Sequence, residues 1–118
     1  MNYSNDSKEI VLFFGEIKTP PFSKSARVET GILLRRLQDG EMLSMRESRP
    51  MPNIGTHCHE LRVSDNENNK EWRIIYRIDE NEIVVFDVFA KTTQKNPQQI
   101  INNCQKRIRR YNELFDAG

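Results

Sequence analysis

The sequence predicts an α+β domain: a small antiparallel-rich sheet of about four strands, with helices packed on one of its faces, in the order β-α-(α)-β-β-β-α. Three observations carry this. Between residues 58 and 90, apolar side chains recur with a period of two in three runs separated by polar turns, as strands of a half-buried sheet require. On either side of those runs, apolar residues return at helical spacing, over 22–37 and again over 97–115. Finally, 118 residues are enough for one domain with a core that can fold alone, and no linker or repeat divides residues 1–118.

The elements follow in chain order. Residues 1–8 are polar and are expected to form a flexible N-terminus. Glu9-Ile10-Val11-Leu12-Phe13-Phe14 is a first strand, continuous enough in apolar residues to be buried on both faces. Pro20-Pro21 breaks the chain, and a helix carries Phe22, Ala26, Thr30, Leu33 and Leu37 on one side, with Gly40 suited to the position past its end. Gly31 inside this helix costs roughly 1 kcal/mol relative to Ala and is expected to mark a close helix–sheet contact. Residues 41–55 read as a short helix or turn followed by an irregular segment through Arg49-Pro50-Met51-Pro52. Strands are expected over 58–64, 71–79 and 82–90, the last two joined by a tight turn at Glu80-Asn81. Asn96 as N-cap and Pro97 at the first helical position open the final helix, over 97–114.

Composition bounds the function. Apolar residues make up 36% and charged residues 30%, and no apolar run approaches the ~20 residues of a membrane helix. With a polar start that lacks a signal-peptide core, this predicts a soluble cytoplasmic protein without membrane association. Two cysteines, Cys58 and Cys104, do not make a disulfide framework. His57-Cys58-His59 is a poor zinc cluster because the histidines and the cysteine alternate across a strand, so neither metal nor cofactor is expected. A net charge of +1 does not announce a nucleic-acid binder, so any basic footprint must come from local segregation.

Strand alternation supplies that segregation. In the strand from Glu71, Trp72, Ile74, Tyr76 and Ile78 point one way and Arg73, Ile75 and Arg77 the other. Leu61 and Val63 oppose Glu60 and Arg62; Val84, Phe86 and Val88 oppose Val85, Asp87 and Phe89, with Lys91 continuing the second series. One face is thus apolar. The other, expected to be open, gathers Arg62, Arg73, Arg77 and Lys91 around Phe89, with Glu60 and Asp87 among them. Two readings stand for it: the ordinary solvated face of an antiparallel sheet, or a nucleic-acid surface in which arginines clamp phosphate and Phe89 stacks on a base. The strip runs into Phe89-Ala90-Lys91-Thr92-Thr93-Gln94-Lys95-Asn96-Pro97, a cationic strand-to-helix junction that suits an anion. His57 is near neutrality by residue type and could act as acid or base; Tyr76 alternates with core residues. Lys106-Arg107 with Arg109-Arg110 is either a solvated helix face or an auxiliary phosphate contact.

Five segments occur in an order and spacing that resembles a known family: Leu34-Arg35-Arg36-Leu37-Gln38-Asp39-Gly40, Ser48-Arg49-Pro50-Met51-Pro52-Asn53-Ile54-Gly55, Glu60-Leu61-Arg62-Val63, Trp72-Arg73-Ile74-Ile75-Tyr76 and Phe89 to Pro97. Together they look like the phage-derived HigB-like branch of the RelE/ParE toxin superfamily. The resemblance implies the toxin half of a type II toxin–antitoxin pair that cleaves mRNA on the ribosome without a metal. It also implies a small helix-turn-helix antitoxin as partner; the toxin itself is expected to be monomeric or a weak dimer. Carried over residue by residue, Arg62, Arg73, Lys91 and Lys95 are the expected catalytic residues; Phe89 and Arg77 on the open face and Gln94 at the strand-to-helix junction are the expected RNA contacts. The general base stays open between His57, Tyr76 and a lysine. Thr92 stands where relatives commonly carry a second lysine. The same scaffold admits two other readings: a ParE-like DNA gyrase inhibitor, and a catalytically weakened antitoxin-binding domain.

Overall fold

The computed structural model describes residues 7–14, 21–92 and 96–115. Seven elements follow one another: β1 (Glu9–Leu12), α1 (Lys24–Gln38), β2 (Ser48–Pro50), β3 (Cys58–Asp65), β4 (Lys70–Ile78), β5 (Glu82–Ala90) and α2 (Pro97–Phe115). The five strands form one sheet in the order β1-β5-β4-β3-β2. Its central part is the antiparallel meander β3-β4-β5, which the alternating pattern predicts. β1 adds to β5 in parallel, with Ile10 opposite Ile83, so the sheet is mixed. β2 is a fifth strand, paired antiparallel to β3 through Arg49 and Glu60, where the sequence suggested irregular chain. A three-residue strand ending in proline is too short to show a period, and its pairing is what orders it.

The arrangement of layers differs from expectation. The helices lie on opposite faces of the sheet. α1 lays Ala26, Leu33 and Leu37 over Leu61, Val63, Trp72, Ile74 and Tyr76. α2 lays Cys104 and Tyr111 over the other face, against Cys58, Ile75, Val84 and Phe86. A bulge makes the second face apolar enough for a helix to cover. Ile75 pairs with Asp87 and Tyr76 with Val85, so Phe86 has no partner of its own. One extra residue flips the alternation. Val84 and Phe86 therefore join Asp87 and Phe89 on one face, while Ile83, Val85 and Val88 serve the other.

Local chemistry fixes the helix ends. Ser23 caps α1, its hydroxyl accepting from the Ala26 amide. Gly40, at φ 84°, turns the chain out of it. Gly31 is exposed with open space around a would-be Cβ, so it marks no close helix–sheet contact. Asn96 caps α2 by accepting from the Gln98 amide. Lys8 is fastened, its ammonium donating to the carbonyls of Asp79 and Glu80, whereas residues 1–6 lie outside the described residues.

Buried Asp65 locks α1 to the sheet. It accepts hydrogen bonds from the Ser23 amide at 2.9 Å, the Trp72 indole at 3.1 Å and the Asn68 side chain at 3.0 Å. Among the described residues no helix is long and apolar enough to cross a membrane.

Candidate functional site

The face that α2 covers is only half covered. Beyond the first turn of the helix, the sheet presents two rows of side chains set by strand register. One row runs Arg49, Glu60, Ile75, Asp87 across β2 to β5, and the next runs Arg62, Arg73, Phe89 across β3 to β5. All of these but Asp87 line a cleft of about 260 Å³, together with Met51 and Ile54 and with Pro97, Ile100 and Ile101 of α2. Lys91 and Thr92 close its mouth, where β5 hands over to α2. The cleft is apolar at the base and cationic at the rim, and the start of α2 adds the positive end of its dipole.

Its charges are unbalanced. Among the described residues Glu60 is the single carboxylate lining it, and it carries both arginines: Arg62 Nε stands 3.5 Å and Arg73 Nε 3.6 Å from Oε1. Arg73 is 8% exposed, donates to the Trp72 carbonyl at 3.1 Å and reaches Glu71 at 3.6 Å, so its guanidinium is fixed in place. Arg62 Nε is buried and has no hydrogen-bond partner among the described residues. A buried donor left unsatisfied costs about 1–3 kcal/mol, and the charge of Glu60 at 3.5 Å offsets part of that cost. The same two arginines also line a second depression of about 530 Å³, with Arg46, Glu47 and Ser64, so they divide two cavities.

The structure gathers Arg62, Arg73, Phe89 and Lys91 of the sequence-derived candidates. Phe89 is 8% exposed and packs with Ile75 and Ile54, so it forms floor rather than an upstanding platform. Gln94 and Lys95 lie outside the described residues.

Three candidates are held elsewhere. Arg77 donates to both oxygens of Asp79, at 2.7 and 3.0 Å, and to Asn112 at 3.0 Å, under the rings of Phe86 and Tyr111. His57 lines that same region toward the C-terminal end of α2, in a positive-φ turn at 62°. Tyr76 lies on the α1 side of the sheet, 1% exposed, with its hydroxyl bonded to that of Ser48 and its pKa raised by burial. Arg49 and Glu60 are the cleft residues that sequence reasoning left without a role; the register of a three-residue edge strand was the missing information. Of the basic cluster on α2, Arg107 is committed to the Phe86 carbonyl at 2.7 Å and to Asp87 at 3.5 Å.

No curated protein matches the chain. A family model described as phage derived protein Gp49-like (DUF891) matches residues 20–109, about three-quarters of the chain and every cleft residue named above. That family is RelE-like and toxin-like. The chain belongs to the phage-derived Gp49-like family.

Proposed function

We propose that this protein is the toxin of a type II toxin–antitoxin pair and acts as a metal-independent, ribosome-dependent mRNA endoribonuclease of the HigB-like kind. The observation that carries the reading is the arginine pair. Arg62 and Arg73 face each other in register on neighbouring strands, beside Lys91, with one carboxylate between them and an unsatisfied buried donor. Such a fork fits the two non-bridging oxygens of a phosphodiester, and its charge suits the extra negative charge of a five-coordinate phosphorus. The apolar floor beside it has room for part of a nucleotide.

In this reading the ribose 2′-hydroxyl attacks the adjacent phosphorus and the 5′-oxygen leaves. Arg73, held by three protein contacts, orients the phosphate; Arg62 exchanges its long contact with Glu60 for the incoming anion. Lys91, exposed at the mouth, holds the backbone on the leaving-group side. A rigid site of this kind contributes through alignment and preorganised charge, with no metal step. The partner that would silence it is a cognate helix-turn-helix antitoxin.

The test is a purified translation system charged with a defined message. Wild-type protein should cut the message only when it is being translated. Persistence of full-length message, with DNA supercoiling by gyrase inhibited instead, would refute the ribonuclease reading in favour of a gyrase-directed toxin.

A further inference from the structure

Building on the ribonuclease reading, we infer that Glu60 is the general base, the group that takes the 2′-hydroxyl proton. The inference comes from what the fold brings into the cleft and what it keeps out. Arg49, Arg62, Arg73 and Lys91 present guanidinium and ammonium groups, which donate hydrogen bonds and offer no lone pair to take a proton. Thr92 is a weak acceptor by type. Tyr76 is sealed on the opposite face of the sheet, and His57 belongs to the cavity at the far end of α2. Of the neighbouring carboxylates, Asp87 accepts from the Val88 amide and pairs with Arg107, while Glu71 accepts from Ser64 and lines the other depression. That leaves Glu60 as the proton acceptor among the described cleft residues.

Its placement suits the task. Glu60 is 15% exposed, and its two arginine contacts, at 3.5 and 3.6 Å, are longer than ordinary charge-assisted hydrogen bonds. The carboxylate is therefore held near the phosphate-binding arginines without being consumed by them. The charged groups facing it are Arg49 from β2, Arg62 on its own strand, Arg73 with its partner Glu71 from β4, and Lys91 beyond β5; α2 contributes only Pro97, Ile100 and Ile101 to this wall.

When phosphate binds, Arg62 turns to it while Arg73 stays in place, and Glu60 faces the ribose. The Glu60 carboxylate takes the 2′-hydroxyl proton as the O2′–P bond forms, and the P–O5′ bond breaks to leave a 2′,3′-cyclic phosphate. The 5′-oxygen receives a proton from the Lys91 ammonium and departs as a 5′-hydroxyl. Water then restores both groups.

The experiment is single-turnover cleavage of message on programmed ribosomes at saturating protein, followed across pH, for wild type, Glu60→Gln and Glu60→Asp. Circular dichroism melts establish that each variant is folded. A general base contributes roughly 10²- to 10⁴-fold. Glu60→Gln should slow cleavage by that factor with half-saturating concentration changed less than threefold, and should abolish the fall in rate on the acid side. Glu60→Asp should keep the acid limb at an intermediate rate.

A Glu60→Gln variant that keeps the wild-type acid limb, or whose loss appears in half-saturation alone, would overturn the assignment and make Glu60 a tether for the arginines. Absence of cleavage by the wild type would instead sink the ribonuclease reading, and the Glu60 role with it.

Discussion

Replacing Arg73 has a folding effect and a catalytic effect, and the two can be measured separately. Arg73→Ala removes a guanidinium that is 8% exposed and that contacts Glu60, Glu71 and the Trp72 carbonyl. On the folding side, Glu60 keeps Arg62 and Glu71 keeps the Ser64 hydroxyl, so neither carboxylate is orphaned. The Trp72 carbonyl loses one donor. Losing a charge-assisted hydrogen bond costs about 1.5–3 kcal/mol, a drop of roughly 5–20 °C in Tm for a domain of this size. On the catalytic side, removing one preorganised donor to a developing anion costs about 2.7–4 kcal/mol, or roughly 10²- to 10³-fold in rate.

The two effects are read separately, by thermal melting and by the cleavage rate constant on programmed ribosomes at 25 °C, where the variant remains folded. Arg73→Lys should recover little of the rate, because an ammonium keeps the charge but not the two-pronged geometry. Cleavage by Arg73→Ala within threefold of wild type would refute the reasoning, since the arginine pair could not then be the phosphate clamp.

Further outcomes follow from where the structure puts other side chains. Tyr76→Phe and His57→Ala, both outside the cleft, should leave the cleavage rate within about twofold, whereas a loss near that of Arg73→Ala would place acid–base chemistry outside it. Burial pushes the Cys58 thiol up to about 11 and Cys104 up to about 12. Native protein at pH 8 should therefore resist a thiol-labelling reagent that reacts fully in urea; equal labelling rates would contradict the packing of α2.

At Asp65, burial acts to raise the carboxyl, but hydrogen bonds from Ser23, Trp72 and Asn68 outweigh it and hold the folded-state value below that of the unfolded chain. Its contribution to stability is then present above the ordinary carboxylate range and lost as pH falls through the folded value. Melts from pH 7 to pH 2 should show wild type losing Tm more steeply than Asp65→Asn; parallel curves would remove Asp65 from this role.

Much of the fold was legible because much of it is local. The residues expected in β5 are those observed, and Asn96 with Pro97 marks the start of α2 because capping chemistry is written in adjacent residues. What was not legible depended on distant partners. The parallel pairing of β1 with β5 joins residues some seventy positions apart, and β2 is a strand only because β3 lies beside it. The bulge at Phe86 had the largest consequence. Without it, alternation sets Phe86 against Phe89 and leaves a whole face open; with it, both aromatics share the α2 face, Phe86 packed with the helix and Phe89 in the floor of the cleft. Arg62 and Arg73 share a face, as alternation predicts, because the β3–β4 register carries no bulge, whereas the Arg77 expectation did not foresee Asp79 and Asn112 around it.

The most direct measurement of the central claim is mapping of RNA 5′ ends across the transcriptome after brief induction of the protein without an antitoxin, against Arg73→Ala expressed to the same level. New 5′-hydroxyl ends inside translated coding sequences, absent with the variant, are what an RNA-cleaving cleft built on Arg62, Arg73 and Lys91 requires. Growth arrest with message ends unchanged from the variant would contradict it.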